Sequence, residues 1–282
     1  MSRIAIVTDS VACVPESLRQ ELGIHQLPFG LIWDGVQYRD GETITPSEFY
    51  TRFRKTNHTF PTTSQPSLGV LVDCYQSLVE KCDGIVSIHV AANLTGTVNT
   101  ARLAAAQVDR VPIRILDSRT ATIAQGFVVL AAARVAAQGG TIDQVVDAAE
   151  RVIAKVDFFA TLKTLEHVHR GGRLGEAATL LGSQLHIVPI MNLKNGAVSI
   201  VGLTRSWKHA LEQIVDLSVE HVNHKTAHVS VFHADALRDA EWLRDQFTAR
   251  VQCVEFYITE FTPVMGAHTG PDVVGIAFYV DD

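Results

Sequence analysis

Apolar residues in this chain come in short, β-branched runs, each closed by hydroxyl, amide or acidic residues. Ile4-Ala5-Ile6-Val7 is followed by Thr8-Asp9-Ser10, Gly84-Ile85-Val86-Ser87-Ile88-His89-Val90 by Ala91-Ala92-Asn93-Leu94-Thr95-Gly96-Thr97, and Ile113-Arg114-Ile115-Leu116 by Asp117-Ser118. Such runs predict buried parallel strands, whose C-terminal ends are where open α/β sheets receive ligands. Helical patterns lie between them. One opens at Pro15-Glu16, one runs from about Val70 to Val79, an alanine-rich one ends near Gln107, and one spans about Thr122 to Gln138. Gly139-Gly140 terminates the last, and Thr141-Ile142-Asp143 starts its successor. Leu27 to Trp33 reads as a strand, with Asp34-Gly35 as a hairpin turn before Val36-Gln37-Tyr38. Thr45-Pro46-Ser47-Glu48 supplies a cap, a proline at the first helical position and an acid in the first turn.

The second half has a different rhythm. Phe158 to Leu162, His228 to His233, Cys253 to Tyr257 and Val274 to Val280 read as strands. Leu185 to Met191 and Ala197 to Val201 flank the turn Lys194-Asn195-Gly196, an antiparallel hairpin signal. Helices are expected from about Trp207 to Val222 and from Ala236 to Thr248. The pattern predicts an α/β protein of two domains. Residues 1–157 are expected to form a mainly parallel α/β sheet domain and residues 158–282 a mixed one. No Pro/Ser-rich linker separates the two, so they are expected to pack tightly.

Composition adds limits rather than direction. The chain has 282 residues, 47% hydrophobic and 19% charged, enough apolar material for large buried cores. A net charge of −6 argues against a nucleic-acid partner, whose binders are usually basic. No apolar run approaches the roughly 18 residues needed to span a bilayer. The N-terminus enters a strand directly, without the pattern of a secretory signal, which points to the cytoplasm. The four cysteines, Cys13, Cys74, Cys82 and Cys253, form no CxxC pair and read as buried free thiols.

Candidate chemistry centres on Thr62-Thr63-Ser64-Gln65-Pro66-Ser67, three hydroxyls and an amide before a proline, then another hydroxyl and a helix. Such a loop suits either a helix cap or an anion held by hydroxyls and free N–H groups. Leu94-Thr95-Gly96-Thr97 repeats that chemistry at a strand tip. Asp9-Ser10 and Asp117-Ser118 read as catalytic or metal-binding groups, as caps, or as hydrogen bonds that hold loops. Arg170-Gly171-Gly172-Arg173, close after His167 and His169, offers a basic turn to phosphate or carboxylate, and Arg205 and Lys208 are candidates to join it. Neither a GxxxxGK[ST] nor a GxGxxG pattern occurs. The only close histidine pair is His167/His169, which needs an extended backbone to share a face, and no metal site is expected. His268 lies in the glycine-rich stretch Met265-Gly266-Ala267-His268-Thr269-Gly270-Pro271, read as a loop between strands.

Together these motifs resemble the DegV family of bacterial fatty-acid-binding proteins. The resemblance rests on Ile6-Val7-Thr8-Asp9-Ser10, Tyr38-Arg39-Asp40-Gly41, Thr63-Ser64-Gln65-Pro66, Leu94-Thr95-Gly96-Thr97, Asp117-Ser118, Gly171-Gly172-Arg173 and His268-Thr269-Gly270-Pro271, in this order over nearly the whole chain. It implies one long-chain fatty acid between two α/β domains, its tail buried and its carboxylate held by Thr63, Thr95 and His268. Ser64 and Gly96 are then supporting residues, and the protein is a non-catalytic carrier without cofactor. Some members present the acid to an ATP-binding fatty-acid kinase partner that makes acyl-phosphate, which makes Arg173 and Arg205 candidate partner-facing residues. Peripheral membrane contact for lipid exchange is compatible with that role. Three positions depart from the family pattern: Ala91-Ala92 stand where Ser-Ser is usual, Thr95 replaces serine, and Asp272 stands where glycine is common. The rival expectation is an enzyme that uses the same hydroxyl and arginine cluster on a phosphorylated or carboxylated small molecule.

Overall fold

The run Ile4–Asp9 forms β1, the centre of a parallel sheet with β2 (His25–Leu27), β6 (Gly84–His89) and β7 (Ile113–Asp117), in the order β2-β1-β6-β7. The computed structural model describes residues 3–55, 60–174 and 187–281. The apolar runs of β1 and β6 are unbroken because helices cover both faces of this sheet. Helices α3 (Leu68–Leu78) and α4 (Thr97–Ala105) bury Leu71, Tyr75, Ala101 and Ala104 against Val7 and Ile85 on one side. Helices α5 (Thr122–Ala137) and α6 (Ile142–Lys155) cover the other side, where α5 is buried through most of its length.

A second sheet of six strands follows Lys155. Its order is β10-β9-β8-β13-β11-β12, from β8 (Asp157–Leu162), β9 (Val188–Lys194), β10 (Ala197–Thr204), β11 (Ala227–Ala234), β12 (Cys253–Glu260) and β13 (Val273–Val280). Only β11 and β12 pair in parallel; the other neighbours are antiparallel. Helices α8 (Trp207–Val222) and α9 (Leu237–Thr248) pack on its outer face through Ile214, Val215, Leu243 and Phe247. The inner face meets α5 and α6, and one apolar core runs across, from Ile6 and Val86 through Phe127 and Val128 to Ala277 and Tyr279. The fold is thus α/β, parallel in the first half and mixed in the second.

A small antiparallel sheet, β4-β3-β5, completes the scaffold from β3 (Gly30–Trp33), β4 (Val36–Arg39) and β5 (Thr62–Ser64). Both hairpins stand where turn residues predict them. Asp34 and Gly35 have φ of 51° and 78°, Asn195 and Gly196 of 52° and 76°, the doubly positive pair that a two-residue hairpin needs. Thr45 caps α2 (Pro46–Phe53) in a full capping box with Glu48.

Two local expectations change. The hydroxyl-rich stretch at Thr62 is not all loop, because its first three residues add a strand to β3, and Ser67 caps α3 by accepting from the Val70 N–H. His167 and His169 fall on a short helix, α7 (Glu166–Arg170), where residues two apart do not share a face. His268 also lies on a helix, α10 (Pro263–Thr269), with proline pre-set for its first turn. Leu185 and His186, expected to open a strand, lie outside the described residues, and β9 begins at Val188. All four cysteines are free; Cys13 and Cys82 are buried, Cys74 and Cys253 only partly.

Candidate functional site

An apolar cavity of about 420 Å³ lies between the halves of the chain. Its floor is the inner face of the six-stranded sheet. Residues of like parity along β8 put Phe158, Ala160 and Leu162 on that face, joined by Met191 and Leu193 of β9, Phe232 of β11 and Val273 of β13. The roof comes from the other half: Val11, Phe29, Val90, Leu94 and Ala121. Size and lining fall in the range of small-molecule sites, roughly 300–1,000 Å³, mostly apolar with a few placed polar groups.

The cavity's polar lining includes Thr63, Thr95, Thr122, Arg173, Asn192 and His268. Thr63 on β5 and His268 on α10 meet there, Thr63 Oγ1 lying 2.8 Å from His268 Nε2. The imidazole's other nitrogen, Nδ1, is buried without a hydrogen-bond partner among the described residues. An unmet acceptor is better tolerated than an unmet N–H, so the proton belongs on Nε2 and is donated to Thr63. That leaves the Thr63 O–H free to donate. Burial, and then the Arg173 guanidinium, push the His268 pKa down to about 4, so the ring is neutral near pH 7.

Thr95 and Gly96 line the same cavity, yet Thr95 reaches Thr63's strand through an amide. Its hydroxyl donates to Gln65 Oε1 at 3.0 Å and lies 2.8 Å from Thr97 Oγ1. Gln65 Nε2 in turn donates to Thr100 Oγ1 at 2.6 Å. Gln65 therefore ties the strand-tip motif to the Thr62 stretch, a role not expected from sequence although the residue stands inside a quoted motif. Gly96 makes room for it, since a Cβ there would sit 3.0 Å from Gln65 Oε1. Ser64 lines the cavity beside Thr63.

Arg173 also lines the cavity, its Nε donating to the Leu94 carbonyl at 3.3 Å and its Nη1 to the Gly171 carbonyl. Gly171 abuts the imidazole: a Cβ at that position would lie 2.6 Å from His268 Nδ1. Arg205 is exposed and is not a lining residue, while Lys208 pairs with Glu212 at 3.7 Å. Arg170 pairs with Glu166 at 2.9 Å and stacks on Phe60. Asp272 stands at φ 60° and faces cations, with Arg54 Nη2 at 3.1 Å and Lys163 Nζ at 3.4 Å. Its charge is thereby compensated beside the cavity. Ala91 and Asn93 pack against Gly196 of the β9–β10 turn, so Ala91 serves as a seat for that hairpin.

The strand-tip acids have other work. Asp9 is buried and accepts from His89 Nδ1 at 3.0 Å, from the Val90 N–H at 3.1 Å and from Gln125 Nε2 at 3.2 Å. Asp117 accepts the Ala92 and Arg119 N–H groups, holding the loops that follow β6 and β7. Among the described residues no three His, Cys, Asp or Glu side chains gather as a metal site would require, and no helix is long and apolar enough to cross a membrane.

The family model described as "Uncharacterised protein, DegV family COG1307" matches residues 3–281. A DegV domain-containing protein of Listeria monocytogenes is 31% identical over 280 residues, covering 99% of each chain. Protein DegV of Bacillus subtilis is 31% identical over 277 residues, covering 98% of each. Among solved structures, that of a DegV family protein from Thermus thermophilus, described as fatty acid binding, superposes with a TM-score of 0.93 at 31% identity, covering 99% of this chain and 100% of the other. The structure of DegV from Bacillus subtilis, described as a fatty acid binding protein, gives 0.91 at 30% identity over all of both chains.

Proposed function

Since the chain belongs to the DegV family, we propose that it binds one long-chain fatty acid in the cavity between its two sheets. The observation that carries this reading is the pairing of a mostly apolar enclosure with a polar contact in its lining, where Thr63 and His268 lie 2.8 Å apart. The tail lies over Phe158, Ala160, Met191 and Phe232, and the carboxylate takes the free Thr63 O–H. His268 fixes that hydroxyl, and Thr95 turns from Gln65 to supply a second one. Ser64 and Gly96 shape the rim.

Energetics favour such a ligand. Each buried CH2 contributes roughly 0.8 kcal/mol, so a tail of about 15 carbons gives on the order of 12 kcal/mol gross. Association costs of at least about 4 kcal/mol leave room for tight binding. A carboxylate buried without partners would cost several kcal/mol, which the hydroxyl donors offset.

The cavity supplies a hold for the acid rather than an acid–base pair to transform it, which supports a carrier role. In the finer reading the protein presents its carboxylate to an ATP-binding fatty-acid kinase subunit for acyl-phosphate formation. Arg173 at the rim and the exposed Arg205 are the partner-facing cations, and no resident cofactor takes part. Lipid extraction from the purified protein followed by mass spectrometry tests the ligand, with one equivalent of long-chain fatty acid expected. Absence of fatty acid, together with no thermal shift on adding palmitate to the protein, would overturn it in favour of an enzyme acting on a small anion. Loss of acyl-phosphate formation in Arg173→Ala, with palmitate binding retained, tests the kinase role.

A further inference from the structure

The helix that carries His268 is too short to hold itself in place. Helix α10 has seven residues, about two turns, well below the length at which an isolated helix is stable. Its N-cap residue, Thr262, makes no side-chain capping bond. The first turn is instead held from far away in sequence: Asp40 Oδ1 accepts the Val264 N–H at 3.0 Å. Asp40 is wholly buried, and its Oδ2 accepts from Ser10 Oγ at 2.6 Å, while Ser10 accepts the Phe29 N–H at 3.1 Å. A carboxylate at this end of a helix also meets the positive end of its dipole. Farther along, Gly266 lets the helix lie against Phe49 and Tyr50, where a Cβ would come within 2.6 Å of the Phe49 ring.

Asp40 follows β4, and Thr63 lies in β5; both strands pair with the single strand β3, Gly30 facing Arg39 on one side and Ser64 on the other. One three-stranded sheet therefore carries the Thr63 hydroxyl directly and anchors the start of the His268 helix through Asp40. The separation of the two head-group residues is set by that sheet, although they are far apart in sequence. We propose that Asp40 is a positioning residue for the ligand site, acting through α10 to hold the His268 imidazole on Thr63. This assignment deepens the fatty-acid reading and rests on it for its consequence.

The test compares Asp40→Asn and Asp40→Ala in the full-length protein labelled with 15N-histidine. Asparagine keeps an acceptor for Val264 and a group that pairs with Ser10, whereas alanine keeps neither. Long-range 1H–15N spectra report which His268 ring nitrogen holds the proton, and calorimetric titration reports palmitate affinity. In D40A the His268 signals should leave their wild-type positions and affinity should fall at least tenfold. In D40N both should stay within about twofold of wild type. Asp40→Ser, too short to reach Val264, replaces D40A if that variant does not fold. The proposal is overturned if the alanine or serine variant keeps the His268 spectrum, or if affinity falls while that spectrum is unchanged. If the wild type takes up no palmitate, the fatty-acid reading fails while the spectra still decide the positioning role.

Discussion

Two histidine clusters in this protein share similar hydrogen-bond spacing and behave as opposites. In the first sheet, Tyr75 donates to Ser87 at 2.9 Å, Ser87 lies 2.8 Å from His89 Nε2, and His89 Nδ1 lies 3.0 Å from Asp9. All four side chains are fully buried, and each has its polar atoms paired. At the cavity, Thr63 meets His268 with similar spacing, yet among the described residues the imidazole keeps an unpartnered nitrogen and the threonine keeps a proton to give. A Ser–His–Asp constellation is thus no sign of chemistry when its valences close on themselves. What marks a binding site is the cluster left incomplete beside an apolar enclosure.

The comparison breaks most visibly in stability. His89→Ala leaves a buried carboxylate short of a donor and should cost about 3 kcal/mol or more, by the usual penalty for opening a buried polar pair. Denaturant unfolding measures it, and palmitate affinity of the folded fraction should stay close to wild type. Equal effects on stability and binding would mean the two clusters are one unit.

A smaller effect is expected at the open cluster from a single methyl group. Gly171→Ala has an ordinary backbone conformation, φ −66°, so the cost is steric and falls on His268 Nδ1. It should lower palmitate affinity about tenfold, on the order of 1.4 kcal/mol, the size of one net hydrogen bond. Titration of the variant checks this; unchanged affinity would show that the imidazole can move without loss.

Across pH, two histidines should act in opposite directions. His268, lowered to about 4 from 6.5 by burial and Arg173, is neutral in the fold, so its proton is taken up first by the unfolded chain. Stability therefore falls as pH drops from about 6.5 toward about 4, and His268→Gln should remove that part of the fall. His228 is raised: burial lowers it, but hydrogen bonds to Glu255 at 2.7 Å and Asp281 at 3.2 Å outweigh burial. Its contribution is full below about pH 6.5 and is lost as pH rises through the folded value, so His228→Gln should destabilise most on the acid side. Thermal unfolding across pH with the two variants separates them, and parallel curves would contradict both assignments.

Much of this was legible in the chain. The strands ending in polar tips, the Asp34-Gly35 and Asn195-Gly196 hairpins and the Thr45 cap each depend on residues within a few positions, and all appear where local chemistry puts them. Thr63 and His268 were singled out by motif, and the fold brings their side chains together. What escaped depends on distance in sequence. Helix α10 reads as loop because glycine-rich segments have weak helix propensity, and its order comes from Asp40 and from Phe49 and Tyr50 of α2. Gln65 joins Thr95 and Thr100 across thirty or more residues, which no periodicity foretells. The basic residues that sequence grouped together separate, with Arg173 at the cavity and Lys208 paired on α8.

The most direct measurement is the 13C spectrum of carboxyl-labelled palmitate bound to the wild type, to Thr63→Val and to His268→Ala. If the open cluster holds the head group, the bound carboxyl resonance should differ from that of the free acid and should move again in each variant, with affinity reduced by about tenfold or more. A bound resonance that is identical in all three proteins would place the carboxylate elsewhere and contradict the assignment.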